Sequence, residues 1–145
     1  MKRLPKIVTI ISIIVFAASL TQNSYYIAGE NPKAWSPAFY SLLLGPIGLF
    51  DGIFEWLANP VLAAAWVFSL AGKNKIALLL GSLASALMLA FLFRQTIIAS
   101  EAPTYAKIIG YGAGYWLWVT SGVLVMASGT IGLMKQRQAI LISDQ

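Results

Sequence analysis

The side chains able to do chemistry are few. Asp51 and Glu55 stand four residues apart, the spacing that puts two carboxylates on one face of a helix. Arg94 and Lys107 bound two other apolar stretches at what the hydropathy pattern makes the same depth. Asn59-Pro60 follows closely behind Glu55. Proline removes one backbone donor and frees the carbonyl four residues back. Here that carbonyl belongs to Trp56, within reach of the Asn59 amide. One reading makes these charges helix-end anchors, with ion pairs worth about 0–1 kcal/mol each when exposed. The other makes them a polar mouth, lined by Asp51, Glu55, Asn59, Arg94 and Tyr111, that binds a charged ligand or couples protons. Both readings stay open at this point.

Much other chemistry is excluded. The chain has no Cys and no His. That removes thiolate and imidazole metal sites, His-ligated haem, thiol–disulfide exchange and any Ser-His nucleophile. Thr120-Ser121-Gly122 contains a serine without a base, and Asp51 has only Asp144, in the tail, as a second aspartate. No Gly-Lys-Ser/Thr phosphate loop occurs. The expectation is therefore a protein that is not an enzyme and needs no cofactor or metal. The net charge of +5 does not point to nucleic acid, because the basic residues flank apolar spans and form no stripe.

The elements that must carry these residues are set by composition. Of 145 residues 59% are hydrophobic and 10% charged, against about 25% charged in an ordinary globular domain. Runs of 23, 17, 18 and 27 uncharged residues separate Lys6 from Glu30, Glu55 from Lys73, Lys75 from Arg94, and Lys107 from Lys135. A membrane-spanning helix needs about 17–25 residues. The pattern predicts an all-α membrane protein in a single domain, 1–145. It is a four-transmembrane-helix bundle with spans at about 4–26, 53–71, 76–93 and 108–134 and a short tail after them. Residues 38–50, broken by Gly45-Pro46 and Gly48, form a short interfacial or re-entrant helix on the outer side. Loops are expected at 31–37 and around Glu101 and Pro103. The basic start, the apolar run 7–20 and Ala17-Ala18-Ser19 also fit a cleaved signal peptide; a retained first span is the reading adopted. With both termini cytoplasmic, Lys2, Arg3, Lys6, Lys73, Lys75, Lys135 and Arg137 lie inside, and Lys33, Arg94 and Lys107 outside. That is the positive-inside bias.

Small residues recur at helix-packing intervals. Gly110 and Gly114 form a GxxxG pair; Gly114, Ser121 and Ser128 repeat every seventh residue, as do Gly122 and Gly129; Gly81 stands four before Ser85. Such stripes let helices approach closely, within one chain or between chains. Trp56-Leu57 and Trp116-Leu117 open the second and fourth spans and give a weak two-span repeat.

Trp56-Leu57-Ala58-Asn59-Pro60, taken with Gly112-Ala113-Gly114-Tyr115-Trp116-Leu117-Trp118, resembles elements of a group of small four-span bacterial membrane proteins. The resemblance covers most of the chain. It implies a four-span fold in a bacterial inner membrane and brings no catalytic residues. The function expected is that of an accessory or structural membrane component, acting through helix association with another membrane protein or with itself in the lipid bilayer. The alternatives are binding or transport of a small molecule or ion through the outer mouth, and an immunity or exclusion protein. The absence of any acid from the first span counts against proton-coupled export.

Overall fold

The computed structural model describes residues 3–29, 37–98 and 104–143. Of the loop expected at 31–37, residues 31–36 lie outside the described residues, as do 99–103 with Glu101 and Pro103, and Lys2, Glu30 and Asp144. The chain is mostly helical. Its helices are α1 (Leu4–Ser19), α2 (Ala38–Gly48), α3 (Ala58–Leu70), α4 (Asn74–Ala90) and α5 (Ala113–Ser143). Single 3-10 turns follow α2, precede α3 and follow α4. By length and composition two helices are able to cross a membrane, Asn74–Phe93 and Ala113–Ile142. Leu4–Ser19 and Phe54–Leu70 are apolar but shorter.

The first and last spans differ from expectation. The first was expected to run to Tyr26, but α1 stops at Ser19. The Ser19 and Thr21 hydroxyls turn back onto the carbonyls of Phe16 and Ala18, at 2.6 and 2.8 Å, and cover the open end of the helix. Tyr25-Tyr26-Ile27 then forms β1 (Tyr25–Ile27) with alternating burial, as aromatic and β-branched residues favour. The last helix begins at Ala113, and residues 105–111 are strand. It continues through Ser143, where a tail was expected. One end of the bundle carries a three-stranded antiparallel sheet, which the sequence reading did not include. β3 (Tyr105–Tyr111) lies at its centre between β1 and β2 (Thr96–Ile98). Tyr25 pairs with Tyr111, and Ile97 with Ala106.

Helix α5 is the centre of the bundle. It packs between α1 and α4, α3 packs on α4, and a lighter α1–α3 contact closes the ring. Its small residues form two stripes. Gly114, Ser121 and Ser128 face α1; Gly122 and Gly129 face α4. A side-chain carbon on Gly114 would sit 2.9 Å from the carbonyl oxygens of Ser19 and Asn23. One on Gly129 would sit 2.8 Å from the backbone nitrogen of Leu78. Gly81 on α4 meets the backbone of Met126 in the same way. The GxxxG pairing of Gly110 with Gly114 does not exist, because Gly110 is in β3 and pairs with Tyr26. The joint after it needs glycine for another reason: a side chain on Gly112 would collide with the Asn23 carbonyl.

Buried hydroxyls join the helices. Thr9 of α1, Ser69 of α3 and Ser128 of α5 form a triangle with sides of 2.6, 2.9 and 3.0 Å. Ser128 also donates to the Pro5 carbonyl at 2.7 Å. One level along, the Trp66 indole donates to Ser12, which donates to the Ser121 carbonyl at 2.7 Å. Ser85 lies buried between α4 and α5 with no hydrogen-bond partner among the described residues. The stripes expected to receive a partner, Gly81, Ser85, Gly114, Ser121 and Ser128, are covered by helices of the same chain.

Gly114→Leu is expected to lower the stability of the isolated protein by about 3 kcal/mol or more, since a branched side chain there meets backbone that cannot move aside. Thermal unfolding in mild detergent measures this. An unchanged midpoint would show that α1 and α5 do not meet at Gly114.

Candidate functional site

The best-defined site lies where the sheet meets the helices. Asp51 was expected to share a helix face with Glu55, but Gly52 adopts φ +74 between them. That left-handed turn separates two 3-10 segments, Leu49–Asp51 and Phe54–Leu57. Asp51 is left exposed, and Glu55 turns inward. There Arg94 meets it side-on, with Nη2 2.9 Å from Oε2 and Nε 3.1 Å from Oε1. The same Nη2 donates to the Gly52 carbonyl at 2.7 Å. The two side chains are only 22% and 14% exposed. The pair therefore locks the turn after α2 to the end of α4, and the Glu55 charge is compensated where it stands.

Behind the pair, Asn59 does what its place before Pro60 suggested. Its amide donates to the Trp56 carbonyl at 3.0 Å and accepts the Trp118 indole proton at 2.9 Å. Pro60 falls in the first turn of α3, where a missing N–H has no intrahelical partner to lose, so it opens a helix instead of kinking one. The Trp56 indole donates to the Leu42 carbonyl at 2.9 Å and holds α2 against this corner.

These residues enclose a cavity of about 110 Å³. Its walls are mostly apolar and aromatic: Phe16, Tyr25, Trp56, Phe91, Tyr115 and Trp118. Glu55 and Asn59 reach it; Asp51, Arg94 and Tyr111 do not line it. The Tyr111 hydroxyl donates to the Phe91 carbonyl at 3.1 Å, and its ring supports Phe91 and Tyr115. Lys107 is exposed on β3 opposite Thr96. Of the mouth expected from sequence, Glu55, Asn59 and Arg94 come together, Asp51 stays apart, and Tyr111 serves as a wall support. Tyr25 and Trp118 were missed as lining residues. Neither carried a local sequence signal, since Tyr25 and Trp118 lie in stretches as apolar as their neighbours.

Burial pushes the Tyr25 phenol up to about 12, although its bond to Ser41 works the other way. Burial also raises Tyr111. The chain matches no protein-family model, no curated protein and no solved structure.

Two outcomes are expected. Tyr25 is held neutral in the fold with its pKa above the ordinary 10. Its stabilising share is complete below about pH 10 and lost as pH rises through about 12, on the order of 2–3 kcal/mol. Tyr25→Phe should flatten the fall in stability over that window; an unaltered pH profile would contradict a neutral, buried phenol. Glu55→Gln should cost about 1–2 kcal/mol, between the values for exposed and buried pairs. A double-mutant cycle with Arg94→Met should give a coupling of the same order; zero coupling would reduce the pair to surface decoration.

Proposed function

We propose that the protein is a four-span membrane protein of the bacterial plasma membrane, with both termini cytoplasmic, whose role is binding and not catalysis. Its outer cavity holds the apolar part of a membrane amphiphile, an acyl-chain end or a single ring. Several features support the membrane arrangement. Outward faces of the long helices carry large apolar side chains, such as Ile14 on α1, Val67 on α3 and Leu79 on α4, each more than 60% exposed. Exposed apolar faces of this extent suit lipid, not water. At about 1.5 Å per residue α1 is roughly 24 Å long, short for a hydrocarbon core of about 30 Å, a mismatch that local bilayer thinning accommodates. Arg3, Lys6, Lys73, Lys75, Lys135 and Arg137 lie at the helix ends away from the sheet, as cytoplasmic ends do.

The observation that carries the binding reading is the cavity itself. A dry apolar cavity of about 150 Å³ accepts benzene. At about 110 Å³ this one has room for about a ring or a few methylenes. Aromatic walls with few convergent polar groups are the usual make-up of small-molecule sites. Because Arg94 already neutralises Glu55, the arrangement favours an apolar guest over a transported ion.

The test is mass spectrometry of the protein purified in mild detergent. Wild type should carry a stoichiometric amphiphile, and Ala38→Phe, which fills the cavity from α2, should retain at least tenfold less. Ser24→Leu fills it from the β1 side and serves if the first variant is unstable. Equal recovery from folded variants would overturn the reading. A second reading, the accessory membrane component, is favoured by one observation: Phe39, Leu43 and Ile47 form an exposed stripe along α2. A stoichiometric protein partner lost on Leu43→Glu would support it.

A further inference from the structure

Helix α2 is seated differently from the other helices. It packs on the 3-10 turns that follow it, Leu49–Asp51 and Phe54–Leu57, and touches α1, α3, α4 and α5 barely or not at all. Of its residues Ala38 alone is buried, whereas α3 buries four and α4 six. An element with so few buried contacts is among the first to open. Yet α2 forms one wall of the cavity beside Trp56 and Trp118, through Ala38, Ser41 and Leu42.

The two ends of α2 are held differently. After its last turn comes Gly52 with φ +74, and Arg94 Nη2 fixes the Gly52 carbonyl at 2.7 Å. The wall residues belong to the half of α2 away from that fixed turn. That half is tied to the chain leading into β1: the Ala38 N–H donates to the Gln22 carbonyl at 2.9 Å, and the Ser24 and Ser41 hydroxyls lie 3.3 Å apart. It is also tied to Trp56, whose indole donates to the Leu42 carbonyl at 2.9 Å.

The Trp56 bond is written into the sequence of α2. A regular helix would bond the Leu42 carbonyl to the N–H of residue 46, but that residue is Pro46 and has none. The indole N–H takes the vacant place. It has room there because residue 45 is glycine: any side-chain carbon on Gly45 would collide with the Trp56 ring. Gly45-Pro46 is thus a notch, in which one residue gives the space and the next frees the acceptor.

We propose that α2 is a lid, latched by Trp56 in this notch and hinged at the turn that Arg94 fixes, and that it lifts to let a membrane amphiphile enter the cavity sideways from the bilayer. The device rests on the amphiphile reading above. The outward face of α2 suits the movement, since Phe39, Leu43 and Ile47 are each half exposed or more. In lipid such a face costs no more in the open position than in the closed one, because acyl chains are as apolar as the side chains it leaves. The Leu42 carbonyl favours closure. Lifted off the indole it has no N–H of its own helix to return to, and an unpaired carbonyl in an apolar medium is costly.

The full chain is tested in phosphatidylglycerol nanodiscs. It has no Cys, so introduced thiols are unambiguous. Ser24→Cys with Ser41→Cys places two sulfurs where hydroxyls already meet, and the disulfide pins the free half of the lid. Uptake of perdeuterated oleic acid, read by mass spectrometry, should be at least tenfold slower in the oxidised form than in the same protein reduced. Equal uptake would overturn the lid. If no amphiphile is found in wild type or in the reduced variant, the cavity reading fails, and the lid is judged by a second measurement that needs no guest. Ala38→Cys puts one thiol on the wall under α2, and its rate of modification by N-ethylmaleimide follows the open population. Trp56→Phe should raise that rate about fivefold, the effect of one ordinary hydrogen bond. Pro46→Ala should raise it similarly, although it makes α2 a better helix, because it returns an N–H to the Leu42 carbonyl in the open state. The two together should do no more than either alone. An unchanged rate with Trp56→Phe would overturn the latch. A slower rate with Pro46→Ala would overturn it too, since opening would then be mere fraying of α2.

Discussion

Close approach to α5 from two sides is the constraint from which the other contacts follow. A seven-residue repeat returns to nearly the same face of a helix after two turns, drifting only about 20°. Gly114, Ser121 and Ser128 thus keep one line open along the helix, and Gly122 with Gly129 keep a second. Helices α1 and α4 come in along these lines until their backbones meet that of α5. At that separation short hydroxyl side chains can bridge, and they do at two levels, through Thr9, Ser69 and Ser128 and through Ser12, Trp66 and Ser121. Each such group would be costly if buried alone. Together they fix rotation and register of helices whose apolar contacts specify neither.

The sheet and the ion pair deal with the end of the bundle where helix packing runs out. β1 leaves α1 and β3 leads into α5, so their pairing closes the seam between the two helices that pack along the first stripe. Glu55 with Arg94 closes the opposite corner, between the start of α3 and the end of α4. Between these closures the aromatic side chains do not fill the space, and the cavity beside Trp56 and Trp118 is what remains.

Legibility from the sequence followed the kind of signal involved. The helices at 58–70 and 74–90 overlap the expected spans 53–71 and 76–93, and a short helix at 38–48 falls within 38–50. Gly45-Pro46 does not break that helix but lies inside it, and Asn74 and Lys75, read as part of a turn, already belong to α4. Asn59 bonds the Trp56 carbonyl, the one its place before Pro60 suggested. The strands were not legible, because Tyr25-Tyr26 and 105–111 are as apolar as the spans they adjoin, and hydropathy does not separate a short strand from a helix end. Asp51 and Glu55 were misjudged because a four-residue spacing was read as helix across Gly52, whose left-handed backbone ends the turn. The seven-residue spacing of small residues was visible, but spacing alone does not say whether the neighbour belongs to the same chain. The cavity beside Trp56 and Trp118 draws on residues from 16 to 118 and had no local signature.

The order of strands in the sheet bears on how the molecule is made. β2 and β3 are neighbours in sequence and pair as a hairpin. β1 emerges early, and its partner Tyr111 follows Tyr25 by about 86 residues. At synthesis rates of about 5–20 residues per second, that is a wait of roughly 4–17 s. During it the β1 edge is unpaired and α1 lacks α5, whose stripe is still unmade. The N-terminal segment is therefore a client awaiting its other half: β3 completes the sheet, and α5, which follows it, completes the bundle. Truncation anywhere before residue 111 would leave an unfinished intermediate with an open strand edge, a substrate for quality control and not a smaller version of the protein.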